Sequence, residues 1–499
     1  MVNKVRRAVL RTGVGLALTA RGSWVPVFAQ QRLPMRDVLV VLPGIMGSVL
    51  QKNGRDLWAL SPKGVLAALR TLGDNLDALR LGSDPPDVDD LGDGVTADRL
   101  IHDLHMVPGL WKIDGYSLLV NRLLGDFDLR RGENFFEFPY DWRRDNRVAA
   151  RRLAHVAHGW LRSWRQRSGN ADARLILIAH SMGGLVCRYF LEVLEGWKVT
   201  RRLISFGTPY RGSLNALGFI STGLVKQLGP VNILDLSKLL RSFTSVYQLL
   251  PIYPCCDVGS GSLLRVTEAA GIPNLDAGRA MKALQFHSEI GAAVNSNQKS
   301  DQYLREGYSI HPIVGTHQPT WQTARVNNGR IELVQTYPGI SMDGDGTVPR
   351  VSATPIEMSD KRAELFVAEA HGSLQNSSTV LVQLQGLLAS ELINFPLFRP
   401  QPPPIFALIL NDAYSAEETV TIRARCLEKC LEVNAASVVA TVRPIDGRTL
   451  AFRGPMRDMG GQLMQVDLPA LAAGAYRVSV GVAELEPSVS DVFVVGSST

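Results

Sequence analysis

Ser181 stands in the run "LIAHSMGG", where an apolar stretch stops at a small residue, a histidine, a serine and two glycines. A serine hydroxyl is a weak nucleophile until a base takes its proton, a third group orients that base, and donors receive the oxyanion. The pattern Ala179-His180-Ser181-Met182-Gly183 is a small-x-Ser-x-Gly turn from strand to helix. So sharp a turn crowds the residues two before and two after the serine, and both must be small, as Ala179 and Gly183 are. The helix that begins there aims its first N–H groups where an oxyanion would form.

The serine's partners follow largely by elimination. Of nine histidines, only His371 follows the acidic turn "DGDGTVP" at 343–349. It comes after the strand-like "AELFVAEA" and before the polar "GSLQN", a loop position that suits a general base. Asp345 is the residue expected to orient it, with Asp343 as the alternative. The turn lacks the spaced acidic ligands, the closing glutamate and the flanking helices of a calcium loop. Serine, aspartate and histidine in this chain order, each at the end of a predicted strand, are the order of α/β-hydrolases. The early segment "VVLPGIMGS" turns at Pro43-Gly44 and leaves the Ile45 N–H to face the serine. The Met182 N–H is the second expected oxyanion donor. His180 is expected to pack behind the turn.

These residues need a scaffold. Apolar runs at 38–44, 135–142, 173–180, 201–209, 308–316 and 363–370 read as buried strands, and "VAARRLAHVAHGWLRSWRQ" and "GGLVCRYFLEVLE" as helices between them. That alternation predicts a mostly parallel sheet covered on both faces. Two excursions, roughly 51–115 and 210–305, break the rhythm and read as cap or lid insertions. Within them, 213–236 is either a lid helix that opens at a lipid surface or a helix packed on the sheet. The acidic stretch "DPPDVDDLGDG" at 84–94 reads as a solvated loop, with calcium binding as the alternative. The proline-dense segment 396–404 is a linker. Short alternating strands over 405–499, with a turn at Asp446-Gly447, predict an all-β, immunoglobulin-like sandwich. The fold class expected is therefore an α/β-hydrolase domain over 37–395 followed by that sandwich.

The net charge of +6 owes most to its placement: residues 1–36 carry seven basic side chains and no acid. This reads as an export leader with paired Arg6-Arg7, or else as a disordered basic tail. Cleavage after Ala29 would leave a net charge near +1, so the basic pI is no argument for a nucleic-acid partner. Export would make the protein periplasmic, extracellular or membrane-peripheral; without a leader it would be cytoplasmic. No segment has the length and apolarity of a transmembrane helix. Five cysteines give no disulfide framework, and Cys426 with Cys430 lacks the second ligand pair of a zinc site. No metal or other cofactor is expected.

Six blocks, "LPGIMGSVL", "FPYDWR", "LIAHSMGGLV", "FGTPYRGS", "YQLLP" and "DGDGTVP", resemble those of the lecithin:cholesterol acyltransferase-like proteins, in the same order over roughly 37–390. That family includes lysosomal phospholipase A2 and plant phospholipid acyltransferases. The resemblance implies an acyl-enzyme on Ser181, formed from a phospholipid-like ester and passed to an alcohol or water. It also implies His371 as base, Asp345 as its partner, and Ile45 and Met182 as oxyanion residues. The paired cysteines that staple the family's lid have no clear match, and the C-terminal sandwich lies outside the family core. The expected partner is thus a lipid ester, at a membrane or lipid-particle surface. The alternatives are a carboxylesterase for small soluble esters and a non-catalytic binding or scaffold protein.

Overall fold

The computed structural model describes residues 32–58, 78–102, 105–107, 111–228, 231–358, 365–389, 405–415, 417–428, 437–445, 449–483 and 489–496. The described residues from Leu33 onward belong to one compact unit. Most of the expected leader, the proline-rich linker and the Asp446-Gly447 turn lie outside the described residues.

Six strands form the central sheet: β1 Val38–Leu42, β2 Phe135–Glu137, β3 Leu175–His180, β4 Thr200–Phe206, β5 Ser309–Gly315 and β6 Leu365–Val367. Their spatial order is β6-β5-β4-β3-β1-β2, and every pair is parallel. The continuous apolar runs have a simple cause. Alternate side chains of each strand enter two different cores. Val38, Val40, Leu175, Leu177 and Leu203 face one core; Leu39, Val41, Ile176, Ile178, Ile204 and Ile313 face the other. Helix α2, Asn146–Ser168, covers the first face with Ala149, Leu153, Ala157 and Leu161. Helices α1, Ser117–Asp126, and α4, Ser378–Ala389, cover the second through Leu119, Leu123, Leu381 and Leu384. The predicted parallel sheet covered on both faces is what forms.

Some elements are shorter than their patterns. The expected strand over 135–142 pairs only through Phe135–Glu137. Pro139 has no N–H to give, and the next groups bond elsewhere: Tyr140 N–H donates to Ser48 Oγ at 3.1 Å. The helix after Ser181, α3, is regular only over Gly183–Arg188 and widens into a π-helical turn at Tyr189–Val193. Residues 213–236 form a largely buried helix, Leu214–Ser221, capped by Ser213, and then a hairpin. The helix packs against helix Ser237–Ser242 and strand Arg330–Val334, and Asn215, Ala216 and Phe219 line the cleft beside Ser181.

The acidic stretch at 84–94 is largely exposed, as expected of a solvated loop, but arginines tether it at three points. Arg143, fully buried, bonds Asp141 at 2.6 Å, Asp93 at 2.9 Å and the Leu79 carbonyl at 3.1 Å. Arg144 bonds Asp84 at 2.9 Å, and Arg151 bonds Asp89 at 2.7 Å. The two arginines of "FPYDWRR" thus pin an insertion to the start of α2.

Beyond residue 405, two further sheets share one core. Strands Ile405–Ile409, Thr421–Glu428, Leu463–Asp467 and Arg457–Asp458 form one. Ala413–Tyr414, Val489–Val495, Gly474–Val482, Val438–Pro444 and Phe452–Pro455 form the other. Phe406, Ile422, Val438, Val442, Val478 and Phe493 fill the space between them. Cys426 is disulfide-bonded, which the cysteine spacing had not suggested, whereas Cys187, Cys255 and Cys256 are free.

Replacing Arg143 by Met leaves Asp141 and Asp93 facing each other without their cation. Urea unfolding should register a loss of about 3 kcal/mol, the scale for breaking a buried ion pair from one side. A loss below about 1 kcal/mol would mean that the insertion does not depend on this anchor.

Candidate active site

Strand β3 ends at His180, and Ser181 follows with φ +50°, a left-handed conformation that a serine adopts only where its surroundings impose it. The Ser181 N–H donates to the Phe206 carbonyl at 2.8 Å, which ties the turn to the end of β4. The need for small residues has a more specific cause than crowding within the turn. A Cβ on Gly183 would sit 2.5 Å from the Pro43 carbonyl oxygen, and one on Gly184 would collide with the Thr208 side chain. Ala179 is fully buried in the sheet.

The loop after β1 presses on the serine from the other side. A Cβ on Gly44 would meet Ser181 Cβ at 2.8 Å. The "FPYDW" segment holds this loop: Tyr140 Oη donates to the Pro43 carbonyl at 2.9 Å, and Trp142 Nε1 donates to the Ser48 carbonyl at 2.9 Å. Ile45 and Met46 line the same cleft as Ser181. Among the described residues no protein group takes the N–H of Ile45 or of Met182.

His371 follows β6, whereas Asp345 comes after the hairpin Thr323–Asn327/Arg330–Val334 and returns beside the end of β5, where it bridges Gln318. His371 Nε2 lies 3.0 Å from Ser181 Oγ, and His371 Nδ1 lies 2.7 Å from Asp345 Oδ2. The second carboxylate oxygen of Asp345 accepts the N–H groups of Thr347 at 2.9 Å and Val348 at 2.7 Å. The His371 N–H also donates to the Asp345 carbonyl at 2.8 Å. These bonds require a proton on Nδ1 and leave Nε2 to accept from the serine hydroxyl. Asp343 is elsewhere: it accepts the N–H of Gly344 at 2.8 Å and lies 3.3 Å from His317 Nδ1. Gly207, at φ +52°, allows the close approach, because a Cβ there would be 2.8 Å from Asp345 Oδ2 and 2.9 Å from His371 Nδ1.

His180 does more than fill space behind the turn. The Gly44 N–H donates to Tyr116 Oη at 2.9 Å, Tyr116 Oη donates to His180 Nδ1 at 2.9 Å, and His180 Nε2 donates to the His371 carbonyl at 3.1 Å. One run of hydrogen bonds therefore joins the loop after β1, the serine turn and the histidine turn. It requires a neutral imidazole, and burial, with the His371 ring nearby, pushes His180 down to about 3. Burial pushes the Tyr116 phenol well above its ordinary value, so it stays a donor.

Ser181 borders a narrow cleft with a cavity volume of about 20 Å³, whose walls include Ile45, Met46, Phe219, Leu240, Val246 and Leu249. Mostly apolar walls, with Ser213, Asn215 and Thr347 as the other polar residues beside Ser181, suit a largely apolar ligand with few polar groups. Among the described residues no group of three His, Cys, Asp or Glu side chains could hold a metal ion, and no helix is long and apolar enough to cross a membrane.

Sequence reasoning did not find Tyr116, Tyr140 or Gly207. Nothing local marks Tyr116, and Tyr140 lay inside the recognised block "FPYDWR", but the role of each comes from chain segments far away in sequence. Gly207 lay inside a recognised block, "FGTPYRGS", but its role depends on a contact with two other loops.

The family model described as Lecithin:cholesterol acyltransferase matches residues 110–269, which hold the Ser181 turn but neither Asp345 nor His371. The lysosomal phospholipase A and acyltransferase of Rattus norvegicus is 25% identical over 287 residues, 55% of this chain and 67% of its own length. The Homo sapiens protein of that name is 30% identical over 140 residues, 27% of this chain and 32% of its own. A chain of the solved Tle4–Tli4 complex aligns with 73% of this chain and 100% of itself, at 14% identity and a TM-score of 0.47. A likeness of that size adds nothing to the strand order itself. The parallel sheet with a serine turn at the end of β3 is the arrangement of an α/β-hydrolase, and the matched segments are similar to acyltransferases and phospholipases. Over residues 110–269 the chain is similar to the lecithin:cholesterol acyltransferase family.

The buried histidines make the fold acid-sensitive. Burial also pushes His287 down to about 4, with its Nε2 donating to the Gln248 carbonyl at 2.8 Å. The unfolded chain takes up that proton below about pH 6.5 and the folded chain does not, so the stability it contributes falls as pH falls from 6.5 towards 4. His287→Gln keeps the donor without the titration. Between pH 7 and 5 it should lose about 2 kcal/mol less stability than the parent in chemical unfolding. Equal losses would contradict the buried neutral imidazole.

Proposed function

We propose that this chain is a serine-dependent O-acyltransferase or lipase that forms an acyl-enzyme from a phospholipid-like ester. The observation that carries this reading is the unbroken contact from Asp345 through His371 to Ser181 at the floor of an apolar cleft. The Ser181 hydroxyl proton passes to His371 Nε2 as Oγ bonds to the ester carbonyl carbon. The resulting oxyanion takes the N–H groups of Ile45 and Met182. As the tetrahedral adduct collapses, the alcohol leaves with the proton from His371, and the acyl group stays on Ser181. An incoming alcohol or water then gives its proton to His371 and takes the acyl group away. Asp345 holds the imidazole in the required tautomer and balances its charge after each proton transfer. The cleft walls suit the acyl chain.

The lipid-ester substrate is further supported by relatives that bear the name lysosomal phospholipase A and acyltransferase. The domain scheme that goes with the proposal is a hydrolase domain over 37–395, with cap insertions near 51–115 and 210–305, then a linker and an immunoglobulin-like sandwich over 405–499. A disulfide at Cys426 and a basic leader favour export and action at a membrane or lipid-particle surface.

Ser181→Ala and His371→Ala should each lower turnover by about four orders of magnitude or more, and Asp345→Asn by about three, while Asp343→Asn stays within a few-fold. Activity that survives Asp345→Asn but not Asp343→Asn would reverse the assignment. Gly207→Ala should cost on the order of a hundredfold, because it pushes the imidazole and carboxylate apart. Incubation with a phospholipid labelled in its acyl chain, with and without a long-chain alcohol or sterol, identifies the acceptor. Turnover of short soluble esters that does not rise on aggregation, with no release from phospholipid, would instead favour a small-ester carboxylesterase.

A further inference from the structure

The C-terminal β body meets the hydrolase core at the turns that carry Asp345 and His371. Glu369, two residues before His371 and 3% exposed, accepts the Ser490 N–H at 2.9 Å and the Ser490 hydroxyl at 3.1 Å, besides the Ala370 N–H at 3.1 Å. Arg477, also from the β body, pairs with the buried carboxylate of Asp114. The Asp114 N–H in turn donates to the Gly372 carbonyl at 3.0 Å, and its own carbonyl accepts Asn376 Nδ2 at 2.9 Å. On the acid side, Leu408 N–H donates to Gln318 Oε1 at 3.4 Å, and Gln318 N–H donates to the Gly344 carbonyl at 2.9 Å, beside Asp345. Strand Val489–Val495 packs on the turn His371–Asn376.

Neither carboxylate takes part in the chemistry proposed for Ser181, yet both lie buried at this contact, where an unpaired charge is costly. Burial pushes Glu369 up to about 8 and Asp114 up to about 6, and the donors supplied from the β body offset that only in part. A body serving only as a remote binding module would need no buried polar contact with these turns.

We propose that the C-terminal β body is a brace for the reacting groups: Arg477 and Ser490 are positioning residues that hold the His371 turn, through Asp114 and Glu369, in register with Ser181. This rests on the base role proposed for His371. A misplacement of about an ångström in a reacting group costs up to about a hundredfold in rate, so the brace acts on kcat rather than on substrate binding.

The test uses the full chain and two readouts, steady-state turnover of a lipid ester and the rate at which a serine-directed phosphonate labels Ser181. In the Arg477→Ala/Ser490→Ala double variant, kcat and labelling rate should fall together by about tenfold or more, with KM within about twofold. Arg477→Lys should restore most of both rates relative to Arg477→Ala. Arg457→Ala, which breaks an exposed pair with Asp467 in the same β body, should change neither. Should the double variant not be recovered folded, Ser490→Ala alone carries the test, with an expected loss of about threefold in both rates. Parental rates in a folded double variant, or a raised KM at unchanged kcat, would overturn the brace while His371→Ala remains inert. Parental labelling in His371→Ala would overturn the base assignment, and the brace with it.

Discussion

A carboxylate that is 2% exposed can be kept in a protein interior only if donors surround it, and Asp345 has three: two backbone N–H groups from its own turn and the imidazole of His371. The backbone donors shape the turn around the carboxylate. Of the three, only the imidazole comes from another segment, so the position of Asp345 dictates where the His371 ring lies and which nitrogen it offers to Ser181. Gly207 and Gly315 lie close enough that a Cβ on either would strike Asp345 or His371. Much of the sheet's architecture, with β5 and β6 adjacent and β3 two strands away, serves to bring these three residues to one edge.

The opposite wall of the site depends on a second set of contacts. "LPGIMGS" and "FPYDW" resemble family blocks as separate words, but in the fold they are one object. Tyr140 and Trp142 donate to carbonyls on either side of the Gly44–Gly47 turn. Arg143 and Arg144, the next two residues, then anchor the acidic insertion. A single short segment thereby couples the loop beside Ser181 to the packing of the cap. The hydrogen bonds from Gly44 through Tyr116 and His180 to His371 close the circuit between the two walls.

The strands were legible in the sequence because a sheet buried on both faces needs apolar residues at consecutive positions. Ser181 and His371 were legible because each follows such a strand and elimination left one histidine, and Asp345 because its acidic glycine turn stands between them in the chain. What could not be read depends on contacts made only after folding. Tyr116 lies in an unremarked "DGYS", and its hydroxyl matters because α1 brings it under Gly44. The tethering of the acidic stretch at 84–94 was not legible because its arginine partners begin about fifty residues later. The turn after "FFE" could have been inferred from Pro139, whose ring cannot extend a central strand. The β body was legible as alternating strands, but its polar grip on Asp114 and Glu369 has no sequence signature, since isolated acidic residues usually mark solvated surface.

The covalent intermediate is where the proposed chemistry meets its most direct test. Parent protein mixed with a phospholipid bearing an isotope-labelled acyl chain, quenched in acid within the first turnovers and digested, should yield the peptide containing "LIAHSMGG" with the acyl mass added at Ser181. The same adduct should accumulate when water and alcohol acceptors are depleted, and Ser181→Ala should lack it. Substrate turnover without any adduct on that peptide, or with the acyl group on another residue, would contradict the serine acyl-enzyme on which the whole reading of the site depends.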